Sequence, residues 1–129
     1  MEKQKYAAIV LAAGSGKRMN SQVHKQYLII QDRPVLYYSL KAFEDSAVDE
    51  IVLVVGKGEE EFCRKEIVDK YGISKVKAIV EGGKERYHSV FEGLKQTSDA
   101  DYVLIHDGAR PFVNQEIIRR CMLEVPEYK

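Results

Sequence analysis

The chain has 129 residues, of which 45% are hydrophobic and 31% are charged. This size fits one globular domain over residues 1–129 and leaves too little chain for two. Lysine plus arginine and aspartate plus glutamate both number 20, so no net charge attracts the protein to nucleic acid or to an anionic membrane. The apolar run at residues 6–13 is too short to span a bilayer and has no signal-peptide cleavage pattern, which predicts a cytoplasmic protein.

Four short apolar runs predict buried strands. In chain order they are AAIVL (7–11), IVLVV (51–55), VKAIV (76–80) and YVLI (102–105). Their apolar residues are mostly continuous rather than alternating with polar ones. This pattern is typical of parallel strands that are covered on both faces of a sheet.

Apolar residues at helical spacing predict four helices around these strands. The four sets, in chain order, are Leu36, Leu40, Phe43 and Ala47; Cys63, Ile67, Val68 and Tyr71, ended by Gly72; Tyr87, Val90, Phe91 and Leu94; and Ile117, Ile118, Cys121 and Val125. Strands that alternate with helices in this way predict an α/β fold with a doubly wound, mainly parallel sheet. Both cysteines fall on predicted helix faces and are expected to be buried, reduced thiols.

The segments that follow the four strands carry the polar motifs of the chain. They read AAGSGKRM, GKGEE, EGGKERYHS and HDGARPF. Ligands of open parallel sheets bind beyond the carboxyl ends of the strands. Because all four segments combine glycine with charged residues, we expect them to meet in one nucleotide-binding or phosphate-binding site.

The glycine-rich stretch LAAGSGKRM (11–19) matches neither of two common phosphate loops. A Walker A loop is excluded because Leu11 and Arg18 occupy its decisive positions, and a dinucleotide-binding fingerprint is excluded by Met19. Glycines still allow backbone N–H groups at Gly14 and Gly16 to face phosphate oxygens. The stretch therefore predicts either an unusual phosphate loop or a tight basic turn between a strand and a helix.

Two basic residues bracket this loop. Arg18 offers a planar fork for phosphate, and Lys25 follows in the segment VHKQY (23–27). If residues 14–27 wrap one ligand, this pair can hold a triphosphate from two sides. Lys17 is then a surface charge.

The segment EGGKERYHSV (81–90) combines a glycine pair with the start of a predicted helix. Glycine at 82 and 83 allows close approach to a flat base, and the Ser89 hydroxyl can reach a base edge. A glycine turn followed by a helix cap is the alternative. Arg86 can pair with Glu85 or brace the loop.

Asp107 follows the last predicted strand, in the segment HDGARPF (106–112). A carboxylate beside apolar surroundings needs a compensating partner, and Mg²⁺ is one candidate because it commonly uses one or two carboxylates together with substrate phosphates. A salt bridge with Arg110 is the alternative. The three histidines have no metal-ligand spacing, and no nucleophile–base pair is evident.

In this order, LAAGSGKRM, HKQY, GGKERYHSV and HDGARPF resemble the cytidylyltransferases that make CDP-methylerythritol from CTP and 2-C-methyl-D-erythritol 4-phosphate in non-mevalonate isoprenoid biosynthesis. The resemblance covers residues 7–113. It implies a Rossmann-like nucleotidyltransferase fold, Mg²⁺ as cofactor, CTP and a sugar or polyol phosphate as partners, and a homodimer for the full-length protein. It implies catalytic roles for Arg18 and Lys25 and a metal-binding role for Asp107. The nucleotide-binding residues that it implies are Ala12, Ala13, Gly14, Gly16, Gly83, Lys84, Ser89 and Gly108.

The chain also departs from the family pattern. His24 stands where proline is usual, and Gly108 replaces the more usual alanine. Family members continue beyond the position of Lys129 into a dimerisation arm and further substrate contacts, so the resemblance implies a truncated chain. Two alternatives stay open: a cytidylyltransferase for ribitol 5-phosphate, which Ala109 disfavours, and a nucleotide-binding fragment without catalysis.

Overall fold

Four parallel strands form the main sheet. The structure, a computed structural model, describes residues 4–12, 29–30, 33–107, 118 and 120. The strands are β1 (Tyr6–Leu11), β4 (Glu50–Val55), β5 (Val76–Glu81) and β6 (Tyr102–Asp107), with a short antiparallel pair formed by β2 (Ile29–Ile30) and β3 (Arg33–Pro34). The order across the main sheet is β5-β4-β1-β6. All four predicted strands are confirmed, with ends that differ by no more than two residues.

Helices connect these strands as predicted. They are α1 (Val35–Glu44), α2 (Glu60–Cys63) with a π-helical continuation (Arg64–Asp69), and α3 (Arg86–Lys95). Gly72 adopts φ +66° just beyond the π-helical turn, a conformation that favours glycine and confirms the predicted helix end. Ile118 and Arg120 are helical where the fourth helix was predicted. The rest of that helix, with Cys121, lies outside the described residues.

The π-helical turn was not predicted. Cys63, Ile67 and Val68 are all buried, so residues four and five positions after the cysteine both point inward. This spacing suits i→i+5 hydrogen bonding better than a regular α-helix. Cys63 is buried and its thiol is not part of a disulfide, as predicted.

The core lies on both faces of the sheet. Successive residues of a strand point to opposite faces. Val10 and Leu53 therefore belong to the cluster that also contains Leu40 of α1 and Ile67 of the π-helical turn. On the opposite face, Ile9, Leu11, Val52 and Val54 pack with Val80, Val90 and Val103. Two-sided burial of β1 and β4 explains their continuous apolar runs and confirms the doubly wound, parallel prediction.

The predicted buried face of α3 is wrong except at Val90, which packs against the core. Tyr87, Phe91 and Leu94 are 68%, 58% and 42% exposed, whereas Ser89 and Gly93 are buried. A Cβ atom on Gly93 would lie only 2.8 Å from Cγ2 of Ile9. The helix therefore approaches the sheet through its small residues, which leaves its bulky apolar side chains outside.

One other detail of the predicted elements differs. Ala47 lies beyond the end of α1 and is exposed, while Val48 is buried in its place.

Within the described ranges, no helix has the length and apolar character needed to cross a membrane.

Ion pairs tie together the amino ends of the strands, opposite the edge where ligands are expected. The carboxylate of Glu50, at the start of β4, lies 3.0 Å from Nζ of Lys5 and 3.1 Å from Nζ of Lys77. Both lysines also reach Asp99, which follows α3. Glu50 is 8% exposed, and burial of a carboxylate is tolerated when opposite charges compensate it.

Glu44, the last residue of α1, anchors the loop before β5. Its Oε1 accepts hydrogen bonds from the backbone N–H groups of Ser74 (3.0 Å) and Lys75 (2.8 Å), and its Oε2 accepts one from the Ser74 hydroxyl. Partial burial works to raise the pKa of Glu44, but these hydrogen bonds outweigh it and hold the pKa below its ordinary value. The stabilisation is therefore present above the unfolded-state pKa and is lost as the pH falls through the folded-state pKa.

Glu44→Gln should lower the free energy of unfolding at neutral pH by about 1–2 kcal/mol, because an amide nitrogen cannot accept the Ser74 hydrogen bond. Urea unfolding at neutral and at acidic pH tests this. The difference between the two proteins should shrink in acid, where wild-type Glu44 is protonated as well. An equal difference at both pH values would contradict the role given to the ionised carboxylate.

Candidate functional site

The strand order reverses between β1 and β6. From β1 the chain builds β4 and then β5 on one side, and it crosses to the other side to form β6. In open α/β sheets, ligands bind outside the carboxyl ends of the strands at such a switch point. The register pairs Leu11 with Asp107, which places the predicted metal-binding residue beside the start of the glycine-rich loop.

Ala12 extends β1 toward this crevice. Its N–H donates a hydrogen bond of 2.6 Å to the carbonyl of Val54, and the residue is 2% exposed. Ala12 is therefore held by the neighbouring strand, so the backbone that enters the glycine-rich loop leaves the sheet at a defined position next to Asp107.

The start of α3 forms a second wall at the same edge of the sheet. The N–H of Gly82 donates to the carbonyl of Val55 at 2.8 Å, which carries the end of β5 alongside β4. Glu85 is the N-cap residue of α3, and its backbone N–H donates to Nδ1 of His88 at 3.3 Å. His88 thus takes the place that glutamate or glutamine usually has in a capping box.

Gly83 is required by this turn. A Cβ atom at residue 83 would lie 2.3 Å from Cβ of His88, far closer than two carbon atoms in contact. The glycine turn and helix cap weighed from the sequence are therefore present. They also bring Gly83, Lys84 and Ser89 to the same end of α3.

Gly83→Ala should cost about 1–3 kcal/mol of stability, because the new methyl group forces the turn away from His88. Gly56→Ala is a matched control at the end of β4. The atoms nearest to its Cβ would be those of the Glu59 carboxylate, at 2.7 Å. This end of a flexible side chain can move, at the cost of the 3.1 Å hydrogen bond that it accepts from the Gly56 N–H. Thermal or urea unfolding compares the two variants. Equal losses would mean that the close contact between Gly83 and His88 does not constrain the turn.

A pocket of about 270 Å³ lies between the first residue of α3 and the end of β6. It is lined by Arg86, Ile105, His106 and Asp107. No ion pair joins Arg86 to Glu85 in the part of the chain that the structure describes, so the first of the two sequence interpretations of Arg86 is not supported. The pocket instead holds a guanidinium and a carboxylate, both exposed, at the crevice where the strand order reverses.

The Ser89 hydroxyl is buried without a described hydrogen-bond partner. The residue is 1% exposed, and its hydroxyl has no hydrogen-bond partner among the described residues. Leaving a buried hydroxyl unsatisfied costs about 1–3 kcal/mol. A group that supplies the missing hydrogen bond, such as a bound ligand, would recover that cost.

The comparisons with known proteins agree with this geometry. The family model for 2-C-methyl-D-erythritol 4-phosphate cytidylyltransferase (IspD) matches residues 6–128. The chain belongs to this cytidylyltransferase family. The enzyme of that name from Lachnoclostridium phytofermentans is 55% identical over 126 residues, which are 98% of this chain and 54% of the relative. The one from Lachnospira eligens is 56% identical over 115 residues, 88% of this chain and 50% of the relative.

A solved structure shows the same fold. The crystal structure of 4-diphosphocytidyl-2C-methyl-D-erythritol synthase from Anaerococcus prevotii matches with a TM-score of 0.75 and 32% identity, covering 93% of this chain and 50% of that one. The chain thus spans about half the length of the cytidylyltransferases that it matches. The Rossmann-like sheet implied by the resemblance is confirmed.

The structure locates five of the residues that the cytidylyltransferase resemblance implies. Ala12 directly follows Leu11, the residue that pairs with Asp107 at the end of β6, and Gly83, Lys84 and Ser89 lie around the start of α3. Six lie outside the described residues: Ala13, Gly14, Gly16, Arg18, Lys25 and Gly108. Arg110, the alternative partner of Asp107, lies outside them as well.

Sequence reasoning missed the contacts of His106. Its Nε2 lies 3.3 Å from the Ser39 hydroxyl of α1, and its ring packs edge-on against Phe43 at a centroid distance of 5.5 Å. The histidine precedes Asp107 in HDGARPF, and Ser39 occurs within the apolar pattern of the first helix. These two positions were the only signals, and they do not reveal that the residues meet.

The donor chemistry at the crevice fits a magnesium ion bound together with a nucleotide. Asp107 supplies carboxylate oxygens, the ligands that Mg²⁺ prefers. Among the described residues, no three histidine, cysteine or acidic side chains are grouped so as to hold a metal ion. A single carboxylate is sufficient when phosphate oxygens and water complete the coordination, as is common for Mg²⁺ with nucleotides.

Proposed function

We propose that this protein transfers a cytidylyl group from CTP to 2-C-methyl-D-erythritol 4-phosphate, giving CDP-methylerythritol and pyrophosphate in non-mevalonate isoprenoid biosynthesis. The observation that carries the proposal is the switch point of the sheet, where the register of β1 and β6 pairs Asp107 with Leu11, the first residue of the glycine-rich stretch. The family match over residues 6–128 supports the choice of reaction.

The reaction needs little covalent chemistry from the protein. An oxygen of the acceptor phosphate attacks the α-phosphorus of CTP, the bond from that phosphorus to the oxygen bridging the α- and β-phosphates breaks, and pyrophosphate leaves with the electron pair. The second pKa of a phosphate monoester is about 6, so the nucleophile is largely ionised near neutral pH without a side-chain base. The protein therefore has to position the two substrates and stabilise the negative charge that develops on the phosphate groups.

We assign these tasks to residues around the crevice. Arg18 and Lys25 hold the triphosphate and offset negative charge as it develops, and Arg18 contributes two parallel hydrogen-bond donors. Asp107 holds Mg²⁺ as its carboxylate ligand. The ion, when bound, neutralises phosphate charge.

The remaining proposed residues bind the nucleotide. They are Ala12, Ala13, Gly14, Gly16, Gly83, Lys84, Ser89 and Gly108. The buried Ser89 hydroxyl without a described partner supports a base contact at the start of α3, since a base edge would supply the missing hydrogen bond. Gly83 leaves the backbone of the turn accessible, and Lys84 is exposed beside it.

Calorimetry and a pyrophosphate-release assay test the proposal. We expect CTP to bind in the presence of Mg²⁺ more tightly than UTP or ATP, and release to require methylerythritol phosphate. Release with ribitol 5-phosphate instead would favour the alternative acceptor. CTP binding without release would favour a nucleotide-binding fragment, and a chain that binds no CTP would overturn the proposal.

The proposal extends to the assembly and location of the full-length protein. The resemblance implies a homodimer in the cytoplasm, with no nucleic-acid or membrane partner. Sedimentation equilibrium tests the dimer: a mass that stays monomeric across micromolar concentrations would contradict it.

A further inference from the structure

A polar contact joins α1 to the end of β6. Ser39 is fully buried on α1, and its hydroxyl lies 3.3 Å from Nε2 of His106. Phe43, one helical turn further along α1, packs edge-on against the same imidazole ring with an interplanar angle of 64°. Helix α1 therefore holds this ring both by a hydrogen bond and by packing.

The contact with α1 lies where the pairing of β6 with β1 ends. The final pairs of that ladder are Val10 with His106 and Leu11 with Asp107. The residue that meets α1 is therefore the direct neighbour of the candidate metal ligand.

The two last residues of β6 are coupled by the geometry of a strand. Successive side chains point to opposite faces, so any rotation that releases His106 from α1 also turns the Asp107 carboxylate. Burial explains why Ser39 needs a hydrogen-bond partner. The contact with His106 links this buried hydroxyl to the residue next to the candidate metal ligand.

We propose that Ser39 and His106 form a positioning pair that fixes the carboxyl end of β6 and so orients the Asp107 carboxylate toward a bound divalent cation. The inference rests on the proposed role of Asp107. In this proposal both residues act through the Asp107 carboxylate. They set the orientation of the Asp107 carboxylate, in the way that neighbouring groups orient metal ligands in other proteins.

Mn²⁺ binding in the presence of CTP, followed by electron paramagnetic resonance, is the measurement. The variants are Ser39→Ala, His106→Phe, which keeps a ring against Phe43, and the two combined. Each single variant should weaken Mn²⁺ binding about tenfold, the range seen when such orienting partners are removed. Because the residues act as a unit, the double variant should lose no more than either single one.

Ser46→Ala is the matched control. The Ser46 hydroxyl donates to the carbonyl of Phe43 at 2.7 Å and accepts from the N–H of Val48 at 3.2 Å, just beyond α1. Its loss should lower the thermal midpoint without changing Mn²⁺ affinity. Midpoints of all variants are measured alongside, and if Ser39→Ala does not fold, His106→Phe provides the same comparison.

The outcomes separate this inference from the proposed function. If the wild-type chain binds Mn²⁺ and both Ser39→Ala and His106→Phe bind it with the same affinity, the positioning pair is overturned and the metal role of Asp107 stays intact. Additive losses in the double variant also overturn it, since the residues then act independently. A wild-type chain that binds CTP but no Mn²⁺ overturns the metal role and the pair together.

Discussion

Asp107→Asn should reduce Mg²⁺-dependent pyrophosphate release by two decades or more, on the order of 3 kcal/mol of lost transition-state stabilisation. The substitution keeps the shape of the side chain and removes the charge that a hard divalent cation requires. Asp107 is exposed at the end of β6, so the fold should survive. Steady-state kinetics across a Mg²⁺ titration, with thermal unfolding to confirm folding, measure the effect.

Glu81→Gln provides the control for a carboxylate at the same edge of the sheet. Glu81 ends β5, away from the switch point, and accepts a hydrogen bond of 2.9 Å from the N–H of Gly58. Its loss should leave the Mg²⁺ dependence unchanged. If Asp107→Asn behaves like Glu81→Gln, the carboxylate of Asp107 is structural, and a salt bridge with Arg110 becomes the better interpretation.

Lys25→Ala should lower kcat/KM by about two decades, roughly 3 kcal/mol for a lost contact to the transition-state charge. In the proposed arrangement, Lys25 is the second cation, which together with Arg18 holds the triphosphate from two sides. The reaction requires negative charge on the leaving pyrophosphate to be stabilised. Kinetics with varied CTP distinguish loss of kcat from loss of nucleotide binding.

Lys17→Ala is the comparison for this second prediction. Lys17 is in the same glycine-rich loop and has the same charge, but it was assigned to the surface. It should therefore change kcat/KM by no more than a few fold. If both lysines prove equally dispensable, or equally important, the two-sided arrangement of Arg18 and Lys25 is wrong.

The strands and the polar motifs that follow them were predictable from the sequence, for a physical reason. β1 and β4 are buried on both faces, and two-sided burial requires a continuous apolar run, which is visible in a single sequence. The glycine motifs after β1 and β5 were visible too, since close backbone approach excludes side chains. Gly83 shows this directly through its contact with His88.

The end of β6 was less predictable. Apolar residues stop at Ile105, but the strand continues to Asp107 because the ladder with β1 includes His106 and Asp107. The hydropathy of a sequence does not show that polar residues take part in backbone pairing. Only the register shows that Asp107 stands beside Leu11.

The face of α3 shows how tertiary structure overrides periodicity. Tyr87, Phe91 and Leu94 have ideal spacing for a buried stripe, yet Ser89 and Gly93 face the sheet. The spacing of apolar residues records which side chains share a face. It does not record how closely a helix can approach β1, and here the small residues allow the closest approach.

The alternation of strands and helices, the glycine-rich and acidic motifs at the strand ends, and the resemblance to cytidylyltransferases could all be recognised in the sequence. These features are local, because each depends on a short run of residues and their spacing. The proximity of Leu11 and Asp107, the buried face of α3, and the contact between Ser39 and His106 across 67 residues of chain became visible in the folded structure alone. Those outcomes depend on strand order, register and packing distance, which arise only when distant segments pack together.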